Sequence, residues 1–188
     1  MRISFRGTGD GINVRMRLEV NRRRWLALLI MLGILAAQGI LIGLWAVLAP
    51  RSFYEDFPGF GLHWVSPDGP FNHHLVGDVG AFFLALGAIS AFALYYRDSM
   101  IGRAAGLGWL VFGVPHFIYH VAHRPEAMST GSYVFSLIST LIPTALGLAC
   151  LLVAPRERHP VPEPAPMNIR FPRRRTTDTT RRRGPSNR

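Results

Sequence analysis

WLALLIMLGILAAQGILIGLWAVLA, residues 25–49, holds no charged side chain and one polar amide, Gln38. At about 1.5 Å of rise per residue, a helix of this length crosses a hydrocarbon core of about 30 Å. Arg22, Arg23 and Arg24 come immediately before it. An arginine run ahead of an apolar stretch also introduces export signals, and Arg-Arg followed by Trp25-Leu26 faintly resembles the twin-arginine kind. The apolar region of a cleavable signal runs to about 7–15 residues. This one is longer, so a retained signal-anchor helix is expected.

Three further apolar runs follow, at about 75–96, 104–122 and 132–154. Each is close to the roughly 20 residues that a span requires. The second run has Asp78 near its start, the third contains Pro115, and the fourth contains Pro143. Proline inside a membrane helix is tolerated, because neighbouring helices and waters satisfy the carbonyl it frees. Both prolines are expected to bend their helices. The fold class is therefore all-α: a polytopic membrane protein, a four-transmembrane-helix bundle with disordered cytoplasmic tails. Three spans with one re-entrant segment is the alternative.

Composition agrees with this reading. The 188 residues carry 21 basic side chains, all arginine, against 11 acidic ones, a net charge of +10, yet 49% of the chain is hydrophobic. A disordered basic protein would not be so apolar. The charge sits at the ends: seven arginines in 1–24 and ten in 155–188. The 97–103 loop adds Arg97 and Arg103, whereas the 50–74 loop has only Arg51 and the 123–131 loop only Arg124. Basic residues near membrane ends mark the cytoplasmic side. Both termini are thus expected in the cytoplasm of a multi-pass cell-membrane protein, with the first and third loops outside. Four spans suit that arrangement.

The tails invite a partner reading. Residues 155–188 combine seven prolines with ten arginines and little that could form a core, so they read as a disordered or extended tail. Arg22, Arg23 and Arg24, together with Arg173, Arg174, Arg175, Arg181, Arg182 and Arg183, are candidate contacts to anionic lipid headgroups. Nucleic acid or an acidic partner is the less favoured target. The threonines of 176–180 between the last clusters are phosphorylation candidates, which would weaken lipid attraction. Residues 12–20 alternate polar and apolar positions, compatible with a strand or a surface helix.

The chemistry candidates cluster at the opposite end. His116, His120 and His123 are spaced by four and three, which places them on one face of the third span. His73, His74 and Asp78 open the second span, with His74 and Asp78 four apart. The second span enters from outside and the third exits there, so these six side chains would reach similar depth. Ionisable groups at membrane depth normally face a bundle interior or a water-filled cavity. Imidazole and carboxylate are ligands for transition metals. The Glu-x-x-His pairs of di-iron bundles and the H-E-x-x-H motif are both absent from this sequence. The bland alternative is a set of interfacial histidines, with Asp78 paired to a histidine or to Arg51.

The loop PRSFYEDFPGFGLHWVSPDGPFN, residues 50–72, is dense in aromatic rings. Its prolines and glycines argue against a long helix, and its rings favour the headgroup level. It is expected to fold back as a lid, with Glu55, Asp56, His63 and Trp64 as candidates for shaping a pocket. Gly39 and Gly43, and again Gly102 and Gly106, form G-x-x-x-G pairs. These permit close helix approach, within the chain by preference, or in a homo-oligomer or larger membrane complex. Ser136, Ser139, Thr140 and Thr144 give the fourth span a polar stripe that could bond within the bundle, with Gln38 as one partner. Cys150 lies alone in an apolar run and reads as a small core residue.

Residues 50–65, 72–80 (NHHLVGDVG) and 114–123 (VPHFIYHVAH) together resemble a group of small four-helix membrane proteins from actinobacteria. One span, a loop and three closely spaced spans also resemble DoxX-like membrane proteins in architecture. The first resemblance implies no activity. The second implies quinone-linked redox chemistry in some relatives, with no catalytic residue to carry over. No nucleophile motif, nucleotide loop or cofactor fingerprint is present, so an enzyme is not favoured; if one, it would be a membrane oxidoreductase subunit. The leading expectation is a His/Asp polar site binding a transition metal, a proton or a small redox ligand. The alternative is a non-enzymatic accessory subunit whose basic tail contacts anionic lipid.

Overall fold

The computed structural model describes residues 2–8, 11–17, 21–161, 165 and 167–170. These fall into two units, one of residues 21–160 and one from the described parts of 1–20 and 161–188.

The larger unit is helical. α1 spans Arg22–Leu48, α3 His73–Tyr96, α4 Ser99–Ala122 and α5 Thr130–Val153, with a short α2 at Pro50–Asp56 between the first two. The four long helices are each long and apolar enough to cross a membrane. The chain is a multi-pass membrane protein by this criterion, and the boundaries lie within a few residues of those expected. α4 and α5 continue through Pro115 and Pro143.

Exposure follows the solvent such a bundle needs. Ile30, Ile34 and Leu41 on α1, Phe82 and Ile89 on α3, Val111 and Ile118 on α4, and Ile138 and Leu141 on α5 all face outward. In lipid, apolar side chains drive no segregation, so helices associate through close packing and interhelical hydrogen bonds. α1 packs along α3 at glycines: a Cβ on Gly39 would lie 2.7 Å from the Gly87 Cα, and one on Gly43 would lie 2.7 Å from the Gly80 carbonyl oxygen. α4 and α5 meet likewise, with 2.7 Å between a Cβ on Gly106 and the Gly147 carbonyl oxygen. Gly102 instead packs on Leu28 and Leu32 of α1. The G-x-x-x-G glycines are thus used inside the chain. At the centre, Leu28, Leu32, Leu35, Trp109 and Cys150 are fully buried. The Trp109 indole donates to Ser90 Oγ at 3.0 Å, and Ser90 donates to the Leu86 carbonyl at 2.8 Å.

Segment 154–159 is part of this helical unit. Asp98, buried between α3 and α4, caps α4 by accepting from the Met100 and Ile101 amides at 2.9 and 3.1 Å. Arg158 Nε donates to its other oxygen at 2.8 Å. The Ser99 amide donates to the Arg158 carbonyl, Ser99 Oγ to the Glu157 carbonyl, and Arg103 to the carbonyls of Ala154 and Pro155. Asn21 donates to the Glu157 carboxylate at 2.7 Å. Residues expected in a disordered or extended tail are therefore anchored up to Pro160.

The smaller unit is a three-stranded antiparallel sheet. β1, Arg2–Thr8, pairs with β2, Gly11–Arg17. β2 also pairs with β5, Met167–Arg170, with Ile12 opposite Ile169. Residues 12–17 of the alternating stretch thus lie in a strand, 18–20 fall outside the described residues, and a piece of the proline-rich tail pairs beside the strand. Arg173, Arg174, Arg175, Arg181, Arg182, Arg183 and the threonines of 176–180 lie outside the described residues.

Candidate functional site

A cavity of about 590 Å³ lies between the α1–α3 pair and the α4–α5 pair, at the end away from Asp98. Its cover is the segment after α1. α2 begins at Pro50, pre-set for a first helical turn, and ends at Asp56. A hairpin of β3, Pro58–Gly59, and β4, Leu62–His63, follows, with positive φ at Gly59, Phe60 and Gly61 turning the chain. A 3-10 turn at Ser66–Asp68 then leads into α3. The expected lid is therefore built from short elements. Its inner face carries Phe53, Phe57, Trp64 and Asp68 to the cavity. Trp64 is pinned to α5 by its indole N–H, 2.8 Å from Ser132 Oγ, and by edge contact with Phe135 at 5.2 Å.

The opposite wall comes from α3 and α4. Phe83 meets Phe112 edge-on at 5.3 Å, Phe112 stacks on His116 at 5.2 Å, and His116 meets His120 edge-on at 4.7 Å. Both imidazoles line the cavity and are partly buried. Among the described residues no group makes a hydrogen bond to their ring nitrogens, which leaves them available to an occupant. Tyr119 lines the margin and donates to Asp68 Oδ2 at 3.2 Å, joining α4 to the lid. α5 contributes Ser136, Ser139 and Thr140, and α1 contributes Gln38.

Of the six residues expected to converge, two reach this cavity. His123 is exposed, with its Nδ1 3.1 Å from the Tyr119 carbonyl and its ring stacked on Tyr119 at 4.4 Å. His73 and His74 are exposed, as is Asp78, and His74 Nε2 lies 3.3 Å from Asp78 Oδ2. The reason is geometric. α3 buries Val76, Gly80 and Phe83, because Gly80 lets α1 approach closely. At 100° per residue His74 and Asp78 point about 160° away from Val76. Among the described residues no three His, Cys, Asp or Glu side chains are grouped so that they could hold a metal ion.

The other lid candidates divide similarly. Trp64 lines the cavity, whereas His63, Glu55 and Asp56 do not. His63 Nδ1 sits 2.6 Å from the Glu55 carbonyl, Glu55 pairs with Arg51, and Asp56 accepts from Ser52 at 3.1 Å. The acid at the cavity is Asp68. Tyr119 and Phe112 were also missed. Their signal was faint: Tyr119 is three residues after His116 and Phe112 four before it, on the same helix face. The polar stripe of α5 does not bond Gln38; Ser136, Ser139, Thr140 and Thr144 donate back to carbonyls on their own helix.

Comparison with protein families, with curated proteins and with solved structures finds no match to this chain. What stands of the DoxX-like resemblance is four helices able to span a membrane.

Proposed function

We propose that this multi-pass membrane protein binds a small, largely apolar ligand in the cavity between its helix pairs, with His116 and His120 hydrogen-bonding the ligand's polar end. One observation carries the reading: a 590 Å³ space, walled mainly by apolar side chains, has two unpartnered imidazoles on one side. Small-molecule sites are typically of about 300–1,000 Å³, apolar, with a few polar groups that orient the ligand. In this reading the two imidazoles are ligand contacts, and among the described residues no third His, Cys, Asp or Glu joins them.

The test uses purified full-length protein and a neutral fluorescent dye such as Nile red. Saturable one-to-one binding is expected, abolished in Ser139→Trp, where an indole fills the cavity. Binding that persists in that variant at unchanged stoichiometry overturns the reading. A His116→Ala/His120→Ala variant should lower the affinity for any ligand that co-purifies by about tenfold, the value of one good hydrogen bond.

The opposite end supports a second, compatible role. Arg22, Arg23, Arg24, Arg97 and Arg156 are exposed there. In this reading that end faces the cytoplasmic leaflet of the cell membrane, where each arginine near anionic headgroups contributes about 1 kcal/mol. Both termini then lie in the cytoplasm and the lid faces outward.

A further inference from the structure

The hydrogen-bonding capacity of the cavity wall is one-sided. The three tryptophans that line it already donate inside the protein: Trp45 to Ser52 Oγ, Trp64 to Ser132 Oγ and Trp109 to Ser90 Oγ. No indole N–H is therefore left to donate into the cavity. The hydroxyls are committed in the same way. Ser136 Oγ donates to the Tyr133 carbonyl at 2.7 Å, Ser139 Oγ to the Ser136 carbonyl at 2.7 Å, and Thr140 Oγ1 to the Leu137 carbonyl at 3.0 Å. A hydroxyl has one proton to give, so each of these oxygens is left as an acceptor. Tyr119 donates to Asp68. The remaining donors are the Gln38 amide and one N–H on each neutral imidazole, and each of those groups also carries an acceptor.

Charge points the same way. Among the described residues Asp68 is the one carboxylate lining the cavity, and no arginine lines it. Aromatic rings line the space on two sides: Trp45, Phe57 and Trp64 from the lid side, and Phe83 and Phe112 from the other wall. The face of an aromatic ring is electron-rich and attracts cations, most strongly where water is excluded. Acceptor oxygens, aromatic rings and a lone carboxylate suit a positively charged group that donates hydrogen bonds. They repel an anion.

Resting on the reading of this cavity as a ligand site, we propose that its ligands are hydrophobic protonated amines. The ammonium donates to the acceptor nitrogens of His116 and His120 and to the α5 hydroxyl oxygens, beside the aromatic rings, with Asp68 at the margin as its counter-charge. The apolar body fills the space between the helix pairs.

Three probes with one body and different heads test this: 4-phenylbutylamine, pentylbenzene, in which a methyl replaces the ammonium, and 5-phenylvalerate. Binding to the full chain in lipid nanodiscs is followed by quenching of tryptophan fluorescence, with affinities referred to free ligand. The amine is expected to bind at least about tenfold more tightly than either other probe. Asp68→Asn, at an exposed position compatible with folding, should remove most of that advantage, read as the ratio of amine to pentylbenzene affinity within the same variant. If pentylbenzene or phenylvalerate binds as well as the amine, the cation preference is overturned while the ligand site stands. An amine advantage untouched by Asp68→Asn overturns the assignment of the counter-charge. If none of the three binds, the ligand site falls with the inference.

Discussion

Asp98 is buried, with 2% of its side chain exposed, the one charged residue in that class among the described residues. Burial alone would raise its pKa. The hydrogen bond from Arg158 and those from the Ile101 and Met100 amides outweigh it and hold the carboxyl below its ordinary 3.8. A carboxylate with a lowered folded pKa contributes stability that is fully present above the unfolded value and is lost as pH falls through the folded one. The apparent Tm in detergent should therefore drop below about pH 4, and Asp98→Asn should flatten that acid limb. At neutral pH Asp98→Ala should destabilise by about 1–3 kcal/mol, since the α4 cap and a charge-assisted bond are lost together. The pairing of Asp98 was not legible in the sequence, because Arg158 lies sixty residues on. The same holds at the cavity. His116 and His120 were legible from their spacing and depth, whereas choosing Asp68 over Glu55 or Asp56 depends on how a non-repetitive loop folds.

At the scale of elements, glycines decide which helices pair. Gly87→Leu places side-chain atoms against the α1 backbone, where even a Cβ would lie 2.7 Å from the Ile40 nitrogen. A loss of roughly 1–3 kcal/mol is expected from such overpacking. Gly77, on the same helix, has nothing within 4 Å of a Cβ. Gly77→Ala should instead stabilise by about 0.5–1 kcal/mol through helix propensity. Thermal unfolding of the pair in one detergent separates packing from propensity. The same glycines explain the histidines that did not converge. G-x-x-x-G was readable in α1, but its partner on α3, Gly80 and Gly87, is spaced by seven and is seen only once the helices are docked. That docking turns His74 and Asp78 outward.

For the whole molecule, orientation is the open expectation, and it is testable. Phe60 sits at the tip of the lid, 98% exposed, and Arg156 lies at the opposite end, also exposed. In intact cells Phe60→Cys should react with a membrane-impermeant maleimide, and Arg156→Cys should react after lysis only. The reverse pattern would invert the topology. Cys150 is buried and should stay silent. Four spans, their limits to within a few residues, and a lid over one end were determined by the sequence alone. They follow from local quantities: run length, hydropathy, and the spacing of prolines, glycines and arginines. The choice of helix partners, the anchoring of residues 154–159 on the α3–α4 turn, and the gathering of Asp68, Tyr119, His116 and His120 around one cavity were decided only by the tertiary structure. Each depends on the rotation of one helix about its axis against another. In a bilayer that rotation is set by close packing of small residues, since lipid-facing and buried faces are equally apolar.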